Sequence, residues 1–151
     1  MAFIYLSSII LANLLVQKYG IVSFLGLSFP AGAVVVGITF TLRDTVQIKY
    51  GKWGCWAWMI LASLITLCFS SGIAVASMTA FVLSESIDWI VFTLYPGSIR
   101  KRMVISNLVG IPSDSLIFVT MLFGWNPAAI AGQAVVKIVS SLVVVFFLVR
   151  K

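Results

Sequence analysis

Histidine is absent from this chain, and acid is scarce. Among 151 residues the only carboxylate side chains are Asp44, Glu85, Asp88 and Asp114, and charged residues of both signs make up 9% of the sequence. A soluble globular domain carries about 25% charged residues, so composition alone excludes that class. The lack of histidine removes His-dependent serine and cysteine triads and the usual zinc sites. There is no glycine-rich loop ending in Gly-Lys-Ser or Gly-Lys-Thr, so ATP hydrolysis by a phosphate loop is excluded too. Neither an enzyme nor a cofactor is expected. Cysteine is equally sparse: Cys55 and Cys68 stand 13 residues apart on one predicted helix. That spacing is roughly 20 Å of helical rise, too long for a disulfide, and two isolated thiols offer no metal spacing. They read as small packing residues.

What the chain has in abundance is apolar sequence, 62% of all residues. The runs predict spans over about 2–17, 30–50, 53–70, 72–94, 102–123 and 127–149, with 21–28 as a re-entrant or interfacial lead-in and Pro30 opening the second span. The first run lacks the basic flank of a secretory signal and is expected to be retained as a span. The expected fold is an all-α integral membrane protein, a bundle of six transmembrane helices forming one domain over residues 1–151. The third span, with Trp53, Trp56 and Trp58 and no polar middle, is expected to face lipid.

The net charge of +6 is distributed as a membrane protein distributes it. Lys49, Lys52, Arg100, Lys101, Arg102, Arg150 and Lys151 fall in links and a terminus that share one side of a six-span chain, while Lys18 stands in a link on the other. Basic links stay cytoplasmic, which places both termini inside and makes lipid head groups, not nucleic acid, the partner of these charges. A multi-pass protein of the cell inner membrane is the expectation.

The carboxylates then stand out, because a charge at bilayer depth costs about 2.5–3.5 kcal/mol even on lenient scales and persists where it faces a protein interior or a polar path. Asn13, Asp114 and Lys137 fall near the middle of their spans, and Asp44, Glu85 and Asp88 in the inner half. Helical spacing gathers polar residues into stripes: Asn13 with Gln17; Thr41, Asp44 and Gln47; Ser84, Glu85 and Asp88; Asn107, Gly110 and Asp114; Gln133, Lys137 and Ser141. Arg43, beside Asp44, is expected to snorkel to the cytoplasmic face. Lys137 either neutralises one acid or contacts a ligand, and Asn13 and Asn107 either bond neighbouring helices or do the same. With four acids against two embedded bases, at least one carboxyl is expected to be protonated or to face water.

The ordered series of motifs resembles the VUT family, vitamin-uptake-like membrane proteins that include queuosine-precursor transporters. It consists of Ala12-Asn13-Leu14-Leu15-Val16, Phe29-Pro30-Ala31-Gly32, Asp44 with Tyr50-Gly51-Lys52, Ser84-Glu85-Ser86-Ile87-Asp88 with Phe92, Asn107 through Ser113-Asp114-Ser115 with Phe118, and Lys137. The resemblance implies six transmembrane helices and uptake of a 7-deazaguanine: 7-cyano-7-deazaguanine (preQ0), 7-aminomethyl-7-deazaguanine (preQ1) or queuine. On that reading the substrate-binding candidates are Asn13, Asp44, Glu85, Asp88, Asn107, Asp114 and Lys137. Glu85, Asp88 and Asp114 would read the guanine-like edge, Asn13, Asn107 and Lys137 would supply donors, and Phe29, Trp89 or Phe92 would stack. Arg43 stands where the family usually has a small polar residue, and Ile48-Lys49 where a second acid is frequent; these departures bear on substrate choice rather than on fold. Two further readings stay open at this point: the membrane subunit of an energy-coupling-factor importer, and a structural membrane protein whose buried acids specify helix packing. Gly26, Gly32 and Gly37 are compatible with helix contacts inside one chain or in a homo-oligomer.

Overall fold

The computed structural model describes residues 2–69 and 73–148. The expected boundaries at Ser70 and Gly72, and the terminal charges Arg150 and Lys151, lie outside the described residues. The first helix, α1 (Ala2–Tyr19), stops at Gly20, whose positive φ of 60° lets its N–H reach back to the Val16 carbonyl at 2.8 Å. A short antiparallel hairpin follows, β1 (Ile21–Phe24) and β2 (Leu27–Pro30), with Phe24 opposite Leu27. Its two-residue turn, Leu25-Gly26, has positive φ at both positions, the geometry that matches the twist of paired strands. This hairpin takes the place of the expected lead-in. Pro30 ends a strand instead of opening a helix, and α2 starts at Ala33.

The long α2 (Ala33–Phe69) is broken at Gly51, where φ 73° and ψ −176° form a conformation in effect reserved for glycine. Its arms, 33–50 and 52–69, are each roughly 27 Å long at 1.5 Å per residue. They meet at the residue where the second and third spans were expected to part. Next come α3 (Ala74–Leu94), α4 (Ile99–Phe123) and α5 (Pro127–Leu148). Pro96 prevents α3 from continuing, Ser98 caps α4 through the Lys101 N–H, and Gly124 (φ 76°) ends it. Asn126 accepts from the Ala129 N–H at 3.1 Å, with Pro127 as the first residue of α5. Among the described residues, four helical segments are long and apolar enough to cross a membrane: Ala2–Tyr19, Val75–Leu94, Ile99–Phe123 and Pro127–Phe147.

Successive segments alternate in direction. The hairpin and the α4–α5 link therefore lie at one end of the bundle, and Gly51 and the α3–α4 link at the other. Close approach is secured by glycines: Gly32 lies against the Ala12 carbonyl of α1, Gly37 against the Lys137 backbone of α5, and Gly132 against the Ser28 carbonyl of β2. The distribution of polarity is the inverse of a soluble protein's. Phe3, Leu25, Trp53, Leu94 and Trp125 are all more than 70% exposed, whereas Arg43, Asp44, Glu85 and Asp88 are fully buried. Such an arrangement is stable only if the medium around the helices is itself apolar, which defines a helical membrane protein. In the 52–69 arm Trp53, Ile60, Leu61, Leu64 and Leu67 are exposed, while Trp58 and Ile65 pack on the core of Tyr5, Leu6, Ile9, Leu42 and Val46. Cys55 and Cys68 are both free thiols, Cys55 buried and Cys68 exposed.

Candidate functional site

The polar stripes converge into two charged centres and two uncharged contacts. Asp114, from the second half of α4, is paired with Lys137 of α5 and also accepts from Ser84 Oγ of α3 at 3.2 Å. Both partners of the ion pair are nearly inaccessible, Lys137 at 1% and Asp114 at 5%. Pro112, one turn's half before Asp114, has no N–H to give the Leu108 carbonyl, which loosens α4 beside its only acid.

The second centre is built around Arg43. Its Nη1 donates to Asp44 Oδ1 at 2.7 Å and lies 2.9 Å from Asp88 Oδ2, Nε stands 3.4 Å from Glu85 Oε2, and Nη2 donates to the Glu85 carbonyl at 3.3 Å. Tyr5 Oη donates to Glu85 Oε2 at 3.4 Å, tying in α1. The expected snorkelling of Arg43 is thus overturned. Three carboxylates hold the guanidinium inside the bundle with no exposed side-chain surface, which outweighs the reach to water that a long side chain offers elsewhere. Among the described residues, Asp44 Oδ2, Glu85 Oε1 and Asp88 Oδ1 accept no hydrogen bond.

The remaining candidates are uncharged. Asn13 of α1 accepts from Ser77 Oγ of α3 at 2.7 Å, and Asn107 of α4 donates to Ser141 Oγ of α5 at 2.6 Å and to Thr41 Oγ1 of α2 at 3.4 Å. Gln17, expected to share a stripe with Asn13, is exposed and takes no part.

A cavity of about 460 Å³, counting its open mouth, occupies the hairpin half of the bundle. Asn13, Asp114 and Lys137 line it, together with Thr39, Ser77 and Gln133; Pro30 and Gly32 stand at its wall and Phe81 and Phe118 supply aromatic surface. Asp44, Glu85, Asp88 and Asn107 are not on the lining; they lie toward the Gly51 end. The aromatic candidates are elsewhere as well. Phe29 is buried in β2, Phe92 lies under the Arg102 guanidinium at 4.4 Å, and Trp89 meets Trp56 edge to face at 5.5 Å. Phe81, Ser77 and Gln133 are cavity residues that sequence reasoning did not assign, although Gln133 stood in the Lys137 stripe.

Apolar helices around a buried polar interior are the features of a multi-pass membrane protein. Residues 56–150 match the family described as putative vitamin uptake transporter. The chain belongs to this family, and small-molecule uptake is its class of function. The matched stretch includes Glu85, Asp88, Asn107, Asp114 and Lys137 and leaves out α1 with Asn13 and the Arg43-Asp44 arm. No curated protein and no solved structure matches the chain.

Proposed function

We propose that this chain is a carrier of a 7-deazaguanine queuosine precursor (preQ0, preQ1 or queuine) across the cell inner membrane. It would do so as six transmembrane helices, the two arms of α2 crossing separately, with both termini cytoplasmic. The carrying observation is the cavity that places the Asp114–Lys137 pair, Asn13 and two phenylalanines around one space. A flat heterocycle rich in donors and acceptors suits such a wall: aromatic faces cover the ring, and the amide, carboxylate and ammonium meet its edge. Orientation is supported by charge. Lys49, Lys52, Arg100, Lys101 and Arg102 gather at the Gly51 end and Lys18 at the hairpin end, so the Gly51 end is assigned to the cytoplasm.

In this orientation the cavity faces outward and the Arg43 cluster, with Asn107, fills the cytoplasmic half. Asn13, Asp114 and Lys137 are proposed as first contacts of the substrate. Asp44, Glu85, Asp88 and Asn107 are proposed to meet it on its way inward, when the cluster opens. The unpartnered oxygens of Asp44, Glu85 and Asp88 support such an opening, since hydration or a passing ligand supplies the bonds that the closed cluster lacks.

The test is uptake of radiolabelled preQ0, preQ1 and queuine in cells that cannot make queuosine and lack an importer of their own. Wild-type protein is expected to restore uptake, and Asp114→Asn at equal membrane level to abolish most of it. Unchanged uptake in Asp114→Asn contradicts the proposed site, and no uptake with well-expressed wild type contradicts the proposed substrate.

A further inference from the structure

Six polar residues line the cavity, and five of them have partners. Asn13 accepts from Ser77; Thr39 donates within 2.9 Å of the Ser8 hydroxyl and the Val35 carbonyl; Asp114 and Lys137 hold each other. The sixth, Gln133, is 2% exposed, and its Oε1 is shielded and without a hydrogen bond. It sits one helical turn before Lys137 on the same face of α5. Its backbone is set by the neighbouring Gly132, where a Cβ would strike the Ser28 carbonyl, so α5 is seated tightly on β2 at this point. A buried amide oxygen left unpaired is costly unless something else completes it.

We infer that Gln133 is a specificity-determining residue whose amide reads a paired donor–acceptor edge, of the lactam or aminopyrimidine type, on an uncharged planar ligand. The inference rests on the uptake reading above and refines its substrate. The carbonyl and NH2 of a glutamine side chain lie side by side and pair bidentately with a heterocycle that presents an N–H next to an acceptor. Charge supplies the second half. Asp114 and Lys137 neutralise each other, and the three remaining acids are gathered on Arg43 away from the cavity lining, so no unopposed carboxylate on that lining awaits a cationic ligand. Among the three deazaguanines this favours the uncharged cyano compound over the two that carry an amine.

The experiment measures binding to the full chain in lipid nanodiscs. The probes are preQ0, preQ1 and 7-cyano-7-deazapurine, which lacks the 2-amino and 6-oxo groups of preQ0. Wild type is expected to prefer preQ0 over the stripped compound by about 5- to 100-fold, and Gln133→Leu to lose that preference. Gln133→Glu, similar in shape but charged and unable to donate, is expected to shift selectivity toward preQ1 and serves if the leucine variant does not fold. Full preference retained in Gln133→Leu, or an unchanged preQ0-to-preQ1 selectivity in Gln133→Glu, overturns the role of Gln133 and leaves the uptake reading standing. Wild-type binding that is blind to the edge overturns the inference as well, and wild type that binds none of the probes overturns it together with the preQ0 and preQ1 readings.

Discussion

Ser84 of α3 donates its hydroxyl to Asp114 of α4 across 3.2 Å. The residue after Ser84 is Glu85, which faces Arg43, so a single turn of α3 touches both charged centres. A ligand that displaces Lys137 or Ser84 from Asp114 thereby acts on the segment that also carries the Glu85 contact to Arg43. Ser84→Ala is expected to leave the fold intact, because the ion pair of Asp114 survives, while uncoupling the two centres. Substrate binding should stay within about threefold of wild type, as suits loss of one hydrogen bond, with the transport rate falling more than the affinity. Equal losses in both would assign Ser84 to the site alone.

Removing one partner of the Asp114–Lys137 pair leaves the other charge buried without compensation, a defect of about 3–5 kcal/mol. Lys137→Met and Asp114→Asn should each lower thermal stability in detergent, and the double variant should be more stable than the sum of the two losses implies. Transport should not return with stability. Simple additivity in a thermal-unfolding cycle would mean that the pair is not coupled in the folded protein.

Arg43 serves three carboxylates from one planar head, a task a lysine ammonium does not match. Arg43→Lys is therefore expected to be destabilised nearly as much as Arg43→Met, by several kcal/mol in either case. A lysine variant with wild-type unfolding temperature would show that net charge alone holds the cluster.

Glycine at 110 permits α3 and α4 to touch. A methyl group there would come within 2.8 Å of the Asp88 Cβ and 3.0 Å of the Phe40 ring. Gly110→Ala should cost about 1–3 kcal/mol by overpacking. Gly51→Ala should cost a similar amount for a different reason, its φ of 73° with ψ near 180°. Both are checked by thermal unfolding against wild type, and Gly97, where a Cβ would meet nothing nearer than 3.7 Å, is a contrast in packing to Gly110.

Helix limits were legible where punctuation is local: Gly20 after α1, Pro96 after α3, and Asn126-Pro127 before α5 each announce themselves in one or two residues. The hairpin was not, since Ile21–Phe24 and Leu27–Pro30 are short, apolar and joined by Leu25-Gly26 instead of a strong turn pair. Inward-facing stripes could be read from spacing alone, and Asp44, Glu85, Asp88, Asn107, Asp114, Gln133 and Lys137 are indeed buried. What spacing does not carry is pairing between distant segments. Arg43 reads as a neighbour of Asp44, yet its other two partners come from α3, 42 and 45 positions along the chain. The division into a cavity group and an Arg43 group depends on the same long-range geometry.

Flux through the purified chain alone bears most directly on carriage. Wild-type protein reconstituted in liposomes should take up radiolabelled preQ0 above protein-free vesicles, and Asp114→Asn and Gln133→Leu proteins should do so poorly. Folded wild-type protein that passes no preQ0, preQ1 or queuine in such vesicles would contradict an autonomous carrier and turn the search to partner proteins that power it.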